Sequence, residues 1–178
     1  MPKLTVAERD VFLNEPGFLM DIATLDADGA PLLAPIWFVY EEGRIWFTPR
    51  QHSEWLANIR RDPRVALCID ERVFPYRKVI VRGAAEVVHE VGNDELWRER
   101  YRRIARRYIP KTDADGYVDA TDDQPRALCA VTLEGAELKT WRMPVGEEAY
   151  KGIWAKRYWT PDAKVDRTAP DLIAKSVD

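Results

Sequence analysis

The sequence predicts a mainly β protein with added helices, built as a barrel or a sandwich. About seven short runs of strand-forming residues occur, and several neighbouring runs are separated only by turn sequences such as 26–29 and 41–43. Short connections of this kind join antiparallel strands. Only two or three helical segments intervene, which disfavours a parallel α/β sheet, where strands and helices alternate.

Each predicted element has its own local signal. Helices are predicted at 5–15, from Ser53 to the proline at position 63, and from Asn93 to about residue 109, because each begins with a capping residue. Gly83 lies inside a predicted strand and indicates a bulge or a close approach of another group. The acidic stretch 110–125 is predicted to be a loop. The predicted strands are 18–25, 32–40, 44–48, 64–70, 77–88, 126–133 and 137–141.

Composition limits the class of protein. The chain has 178 residues, of which 46% are hydrophobic and 32% charged, with a net charge of −3. These values suit one folded domain with a real core and argue against bulk electrostatic binding of nucleic acid. No apolar run is long enough to span a bilayer, and no signal peptide is visible, so a cytoplasmic location is expected. Cys68 and Cys129 are expected to be buried free thiols.

The stretch 46–63 combines a strand end, a polar turn and the start of a short helix. Thr48 and Ser53 offer hydroxyl groups, Arg50 offers a guanidinium, and the helix start offers free amides. These groups together suit an anion such as phosphate. The alternative is an ordinary connection between a strand and a helix, with Ser53 acting only as a cap. His52 beside them is a weaker candidate for a site role.

Aromatic and basic residues each allow two interpretations. Trp37, Trp46 and Trp55 suit either the core or a wall against a flat conjugated cofactor. The arginine-rich segment 96–108 suits either nucleic acid or, preferably, a solvated helix face, because nearby acids are spaced for ion pairs. Leu96, Tyr101, Ile104 and Tyr108 would then form its buried stripe. No catalytic motif and no metal-ligand spacing is present, so no catalytic or metal-binding residue is predicted.

Five short motifs, in this order, resemble the pyridoxamine 5'-phosphate oxidase-like flavin proteins, a group that includes FMN-binding split barrels and reductases that use the deazaflavin F420. The resemblance covers roughly residues 15–142 and is specific for the superfamily but not for a substrate. The motifs are LDADGAP at 25–31, PIWF at 35–38, RIWFT at 44–48, NIRRDPRV at 58–65 and VRGAAE at 81–86.

The resemblance implies a split β-barrel over residues 1–144 that forms a homodimer and holds its cofactor in a groove at the dimer interface. Residues 145–178 would be an extension that packs on the barrel or on the partner. The cofactor itself would carry the hydride chemistry, which explains the lack of an acid–base motif. The implied phosphate ligands are Thr48, Arg50 and Ser53; the residues against the ring are Pro35, Ile36, Trp37, Phe38 and Trp55; further charge would come from Arg77 and Lys78.

One departure from the family pattern affects the choice of cofactor. Family members commonly have Ser-x-Lys at the start of the helix, whereas this chain has Ser53, Glu54 and Trp55. A charge-assisted contact worth about 1.5–3 kcal/mol is therefore missing unless another cation replaces it. The expected function is an FMN-dependent oxidoreductase acting on a small organic substrate, with F420 as the second cofactor. The alternative is a non-catalytic protein that binds a cofactor or haem.

Overall fold

Eight strands and four α-helices make up the part of the chain that the computed structural model describes, which is residues 2–92, 94–146 and 148. The strands are β1 (Met20–Leu25), β2 (Pro31–Ile36), β3 (Val39–Glu41), β4 (Arg44–Phe47), β5 (Arg64–Asp70), β6 (Lys78–His89), β7 (Leu128–Thr132) and β8 (Glu137–Trp141). The helices are α1 (Val6–Asn14), α2 (Glu54–Arg61), α3 (Arg98–Ala105) and α4 (Lys111–Asp119), and a 3-10 turn at Asp94–Leu96 precedes α3.

The long strand β6 connects the two halves of a strongly curved antiparallel sheet. Its first half pairs with β5 on one edge and with β8 on the other, whereas its second half pairs with β7. The full order is β2-β1-β5-β6-β7-β4-β3. Strands β2 and β3 are consecutive in the chain but lie at opposite ends of this order. The sheet is therefore a split barrel, which confirms the predicted fold.

Gly83 lies on the shared strand β6. A Cβ atom on Gly83 would lie 3.4 Å from Val131 Cγ1 and 3.5 Å from the Cβ of Ala136, which are ordinary van der Waals distances. The structure therefore shows no close approach that requires this glycine, and the register shift in β6 falls further along, between Val87 and His89.

Two apolar clusters stabilise the fold. The larger one fills the barrel and includes the fully buried Phe12, Met20, Phe47 and Leu67. The smaller one lies between the helices α3 and α4 and the outer side of β4 and β7. Because of this second cluster, the two helices are fixed against the barrel wall beside the polar turn. None of the helices in the described residues is long and apolar enough to cross a lipid bilayer.

Three local predictions are wrong. The run 32–40 is two strands, separated at Trp37 and Phe38 where the chain passes from one end of the sheet to the other. The stretch 110–125 contains α4, whose few buried residues and internal glycine concealed its helical pattern. Leu96 is 70% exposed, because the turn before α3 places Trp97 in the buried position instead. Asn93, the predicted cap, lies outside the described residues.

The two thiols differ in burial. Cys129 is buried and free, as predicted, but Cys68 is free and only half-buried on the outer side of β5.

Helix α2 is fixed to the barrel by a buried amide. Leu56 and Ile59 pack into the main cluster. Asn58, which is 4% exposed, donates from Nδ2 to Thr24 Oγ1 at 3.1 Å and to Asp26 Oδ1 at 2.7 Å. These bonds set the position of the helix start, and hence of Ser53 and Trp55.

We predict that Asn58→Ala lowers the free energy of unfolding by about 1–3 kcal/mol, because it removes the amide that satisfies the buried Thr24 hydroxyl. Denaturant unfolding followed by circular dichroism measures the change. The control is Asn14→Ala at an exposed helix end, where the expected change is below about 0.5 kcal/mol. Equal effects of the two substitutions would contradict this role for Asn58.

Candidate functional site

A cavity of about 400 Å³ opens at the split between β2 and β3. The end of β2, the turn after β4, the start of α2 and the helices α3 and α4 all contribute to its wall. Its lining residues are Leu19, Pro35, Ile36, Trp37, Thr48, Arg50, Ser53, Trp55, Tyr101, Tyr117 and Arg126.

The polar turn after β4 forms one side of the cavity. Ser53 is the N-cap residue of α2, but its side chain does not cap the helix. Instead, Ser53 Oγ donates to the Arg50 carbonyl oxygen at 2.7 Å, which closes the turn. The amides of the first helical turn are thus left without a side-chain cap, an arrangement that favours an anion at the helix start.

Aromatic rings form the opposite side. Trp37 stacks on Tyr108 with ring centroids 5.0 Å apart and an interplanar angle of 6°. Tyr117 meets Trp37 edge-on at 5.7 Å. Trp55 packs against Phe47 with its ring centroid at 5.9 Å. The half-buried faces of Trp37 and Trp55 therefore offer flat apolar surface within the cavity.

Arg126 enters the cavity from the segment before β7. Its side chain donates from Nη1 to the Thr48 carbonyl oxygen at 2.9 Å and lies over the Tyr101 ring at 4.6 Å. Its Nη2 lies 3.4 Å from the Tyr117 hydroxyl, and the Arg50 Nη2 lies 3.4 Å from the same oxygen. Two guanidinium groups from distant parts of the chain thus meet at one hydroxyl.

These two cations form no ion pair within the described residues. Neither Arg50 nor Arg126 forms an ion pair with any carboxylate of the described residues, although most other arginines do. The Asp94 carboxylate accepts the main-chain amide of Arg126 at 3.0 Å and does not pair with its guanidinium. An uncompensated positive charge in a cavity attracts an anionic ligand.

Two buried polar atoms behind the cavity wall lack partners in the described residues. Tyr101 is 5% exposed and Arg126 is 7% exposed. Within the part of the chain that the structure describes, the Tyr101 hydroxyl and Arg126 Nε have no hydrogen-bond partner. Such groups are costly in a folded protein unless a ligand or water satisfies them.

The two tyrosines respond differently to this environment. Burial raises the pKa of Tyr101 well above its ordinary value. Burial also acts to raise the pKa of Tyr117, but its interaction with Tyr101 and the charges of Arg126 and Arg50 lower that pKa overall. The Tyr117 hydroxyl accepts from both guanidinium groups, so its own proton is left to be donated to an anion.

Seven predicted site residues come together in this cavity, and three do not. Phe38 is fully buried in the main cluster. The Arg77 guanidinium lies elsewhere and pairs with Glu15 at 2.6 Å and Glu71 at 2.6 Å. Lys78 lies over the Trp141 ring at 4.8 Å. The seven that line the cavity are Pro35, Ile36, Trp37, Thr48, Arg50, Ser53 and Trp55.

Two residues of the 46–63 stretch, Trp46 and His52, do not line the cavity. Trp46, which precedes the polar turn, faces the second apolar cluster and lies between the guanidinium groups of Arg44 and Arg100. His52 is exposed and is not part of the cavity wall.

Sequence reasoning missed four lining residues. The sequence predicts Tyr101 only as part of a buried stripe, and it predicts a loop where Tyr117 lies. It predicts Arg126 as the start of a strand and Leu19 as an ordinary strand residue. Leu19, Tyr117 and Arg126 are distant from the 46–63 stretch in sequence. The one local signal at Arg126 is that it is an isolated basic residue directly before an apolar strand.

The fold is that of a split-barrel protein, and its cavity combines aromatic and cationic side chains. The family model described as pyridoxamine 5'-phosphate oxidase matches residues 6–140. The chain belongs to this family. No curated protein sequence matches the chain at a significant level.

Solved structures with similar folds include proteins of several descriptions. A conserved hypothetical protein from Mycobacterium tuberculosis is 24% identical, with a TM-score of 0.62 over 82% of this chain and 94% of the other. A protein described as an F420 reductase is 23% identical, with a TM-score of 0.52 over 70% and 93%. The haem storage protein HutZ from Vibrio cholerae is 19% identical, with a TM-score of 0.57 over 78% and 94%. At these identities the likeness shows the fold.

Arg77 provides a test of the distinction between structural and site arginines. We predict that Arg77→Gln lowers the free energy of unfolding by about 2–3 kcal/mol, because the buried Glu71 carboxylate loses its partner. Burial acts to raise the pKa of Glu71, but its hydrogen bonds to Arg77 lower it overall. This contribution to stability is present above the unfolded-state pKa and is lost as the pH falls through the lowered folded-state pKa.

Chemical unfolding of both proteins across the acid range measures the effect, and the stability difference should shrink as the pH falls. Because Arg77 lies outside the cavity, binding of inorganic phosphate, measured by calorimetric titration, should be the same in Arg77→Gln as in the native protein. A loss of phosphate affinity without a loss of stability would contradict this assignment of Arg77.

Proposed function

We propose that this chain is an FMN-dependent oxidoreductase that exchanges a hydride with a small organic substrate. The observation that carries the proposal is the cavity itself, in which two uncompensated guanidinium groups lie beside flat aromatic faces. A flavin nucleotide has the matching pair of features, an anionic phosphate and a planar conjugated ring.

The residues present fit such a cofactor. Thr48, Arg50 and Ser53 would hold the phosphate at the start of α2. Pro35, Ile36, Trp37 and Trp55 would pack against the ring and exclude water from one of its faces. The bound cofactor supplies the hydride chemistry, and the chain supplies binding, orientation and a dry pocket. Membership of the family supports FMN as the first choice, and F420 is the second.

We predict that purified protein binds FMN saturably and that Trp37→Ala weakens this binding about 3- to 10-fold, because one stacking surface is lost. Titration followed by quenching of flavin fluorescence measures both. The control is Tyr76→Ala, which removes an exposed ring outside the cavity. An absorbance spectrum without flavin, together with no binding of FMN or F420, would contradict the proposal.

A second candidate function is binding of haem without catalysis. The cavity wall contains no histidine, cysteine or methionine among the described residues, but the Tyr117 hydroxyl has a lowered pKa and tyrosine is a known haem ligand. The same spectrum distinguishes the two functions, because a haem complex would give an intense Soret band in place of flavin absorption.

The outer face of the sheet supports a dimer of this family's kind. The strand register places Leu33 beside Ala23, and Ala23 beside Ala66. Pro35 and Cys68 flank Asp21 in the next row in the same way. Leu33 is 65% exposed and Ala23 and Ala66 are half-buried, so this row offers apolar surface to solvent, whereas the next row carries the charge of Asp21. Pro35 also lines the cavity, and a second copy of the chain on this surface would border the ligand.

We predict that Leu33→Asp converts a dimer into a monomer in sedimentation velocity, because a second copy would bury an unpaired charge. Leu96→Asp is the matched control, since Leu96 is 70% exposed on a different part of the molecule. A monomeric native protein, or a dimer that both substitutions leave intact, would contradict this interface. The cytoplasmic location expected from the sequence stays a prediction.

A further inference from the structure

The two cations of the cavity are closer together than their sequence separation suggests. Arg50 Nη2 and Arg126 Nη2 each lie 3.4 Å from the Tyr117 hydroxyl oxygen, so at most about 7 Å separates them. The Arg126 Nη1 donates to the Thr48 carbonyl oxygen at 2.9 Å, and this bond fixes the guanidinium. One anion can therefore touch both guanidinium groups and the hydroxyl at once.

We propose that Arg126 is the second cation of the phosphate subsite and that, with Arg50 and Tyr117, it selects a phosphate monoester dianion. This inference rests on the proposed function, since it assigns the ligand class of the same cavity. It adds two residues, Arg126 and Tyr117, to those that the polar turn supplies.

The charge of Arg126 favours such a ligand. Arg126 is 7% exposed, and no carboxylate of the described residues forms an ion pair with its guanidinium, so the charge is largely desolvated without a paired counter-charge. Its Nη2 makes one contact in that part of the chain, with the Tyr117 hydroxyl, so this nitrogen has a second N–H group for a ligand in the cavity. A bound dianion would supply the missing negative charge.

The number of cations indicates a monoester rather than a diester. A phosphate monoester has a second pKa near 6 and carries almost two negative charges at neutral pH. A phosphodiester, such as that within F420, carries one. Two arginines without carboxylates match the charge of the monoester, which is the form found in FMN.

Arg126 also accounts for the departure at the start of α2. In the triplet Ser53, Glu54 and Trp55, an indole occupies the place of the family's usual lysine. The Trp55 ring packs against Phe47 and lines the cavity, so it provides surface rather than charge. Arg126, which lies near it on the cavity wall, restores the lost cation from another part of the chain.

The test compares FMN with riboflavin, which has the same ring but no phosphate. We expect Arg126→Gln and Arg50→Gln each to weaken FMN binding about 10- to 100-fold and to change riboflavin binding less than about 3-fold. Arg72→Gln, which removes an exposed arginine outside the cavity, should change neither. Equal losses for FMN and riboflavin in Arg126→Gln, or no loss for FMN, would overturn the proposal.

The pH dependence tests the monoester. The ratio of FMN to riboflavin affinity in the native protein should fall as the pH drops from about 8 to about 5, because the phosphate loses its second charge near pH 6. A ratio that stays constant over this range, while Arg126→Gln still lowers it, would show that the subsite does not select a dianion.

Two further measurements keep the result independent of folding and of the proposed function. If Arg126→Gln does not fold, as judged by circular dichroism, Arg126→Lys keeps the charge but loses the fork and should give a smaller selective loss for FMN. If neither FMN nor riboflavin binds, the proposed function is wrong. Calorimetric titration with inorganic phosphate then tests the subsite alone: native protein should bind it, and no binding would overturn the inference.

Discussion

The hydrogen bond from the Arg126 guanidinium to the Thr48 carbonyl joins the parts of the chain that form the cavity. The Arg126 main chain is bound by Asp94 from the turn before α3, and its side chain lies over Tyr101 of α3 and beside Tyr117 of α4. One residue therefore fixes the end of β4 against both helices of the second cluster. A second and longer polar contact joins the same parts, from Arg50 in the turn to Tyr117 of α4.

The positions of the acidic side chains decide which arginines keep an uncompensated positive charge. The arginines of α3 face Glu41, Glu99 and Asp119, so that helix offers little net positive charge. This agrees with the interpretation of 96–108 as a solvated face rather than a surface for nucleic acid. The cavity arginines have no such partners among the described residues. An overall acidic chain can thus present a cationic site, because neutralisation is local.

Local sequence signals predicted the barrel well because strand alternation and short turns report directly on antiparallel pairing. They also indicated Thr48, Arg50 and Ser53 and the aromatic residues Trp37 and Trp55, whereas Pro35 and Ile36 were expected at the site from the family resemblance. They failed where the signal was not local. Helix α4 has only two buried residues, Ala114 and Val118, and its periodicity is weak. Tyr117 could not be placed near Arg50 without knowing that this helix exists.

The sequence says least about the roles of residues that lie at the ends of strands. Arg77 begins a strand, as expected of a residue that could face a ligand, yet Glu15 and Glu71 occupy its guanidinium. Arg126 precedes a strand in the same way and has no acid partner in the described residues. The sequence around the two arginines does not distinguish them. What distinguishes them is the three-dimensional position of the carboxylates, and Glu15 is far from Arg77 along the chain.

In the proposed phosphate subsite, Trp55 stands where the family commonly has a lysine, and Arg126 supplies the cation from another part of the chain. A lysine on α2 would bring charge on a flexible stem, with a large loss of side-chain entropy on binding. Arg126 brings a planar fork already held by Thr48 O and by the Tyr101 ring, so less entropy remains to be lost. Meanwhile the indole at position 55 adds apolar surface to the cavity. A cation from elsewhere in the fold thus permits an aromatic residue at the helix start, and the same cavity retains both charge and stacking surface.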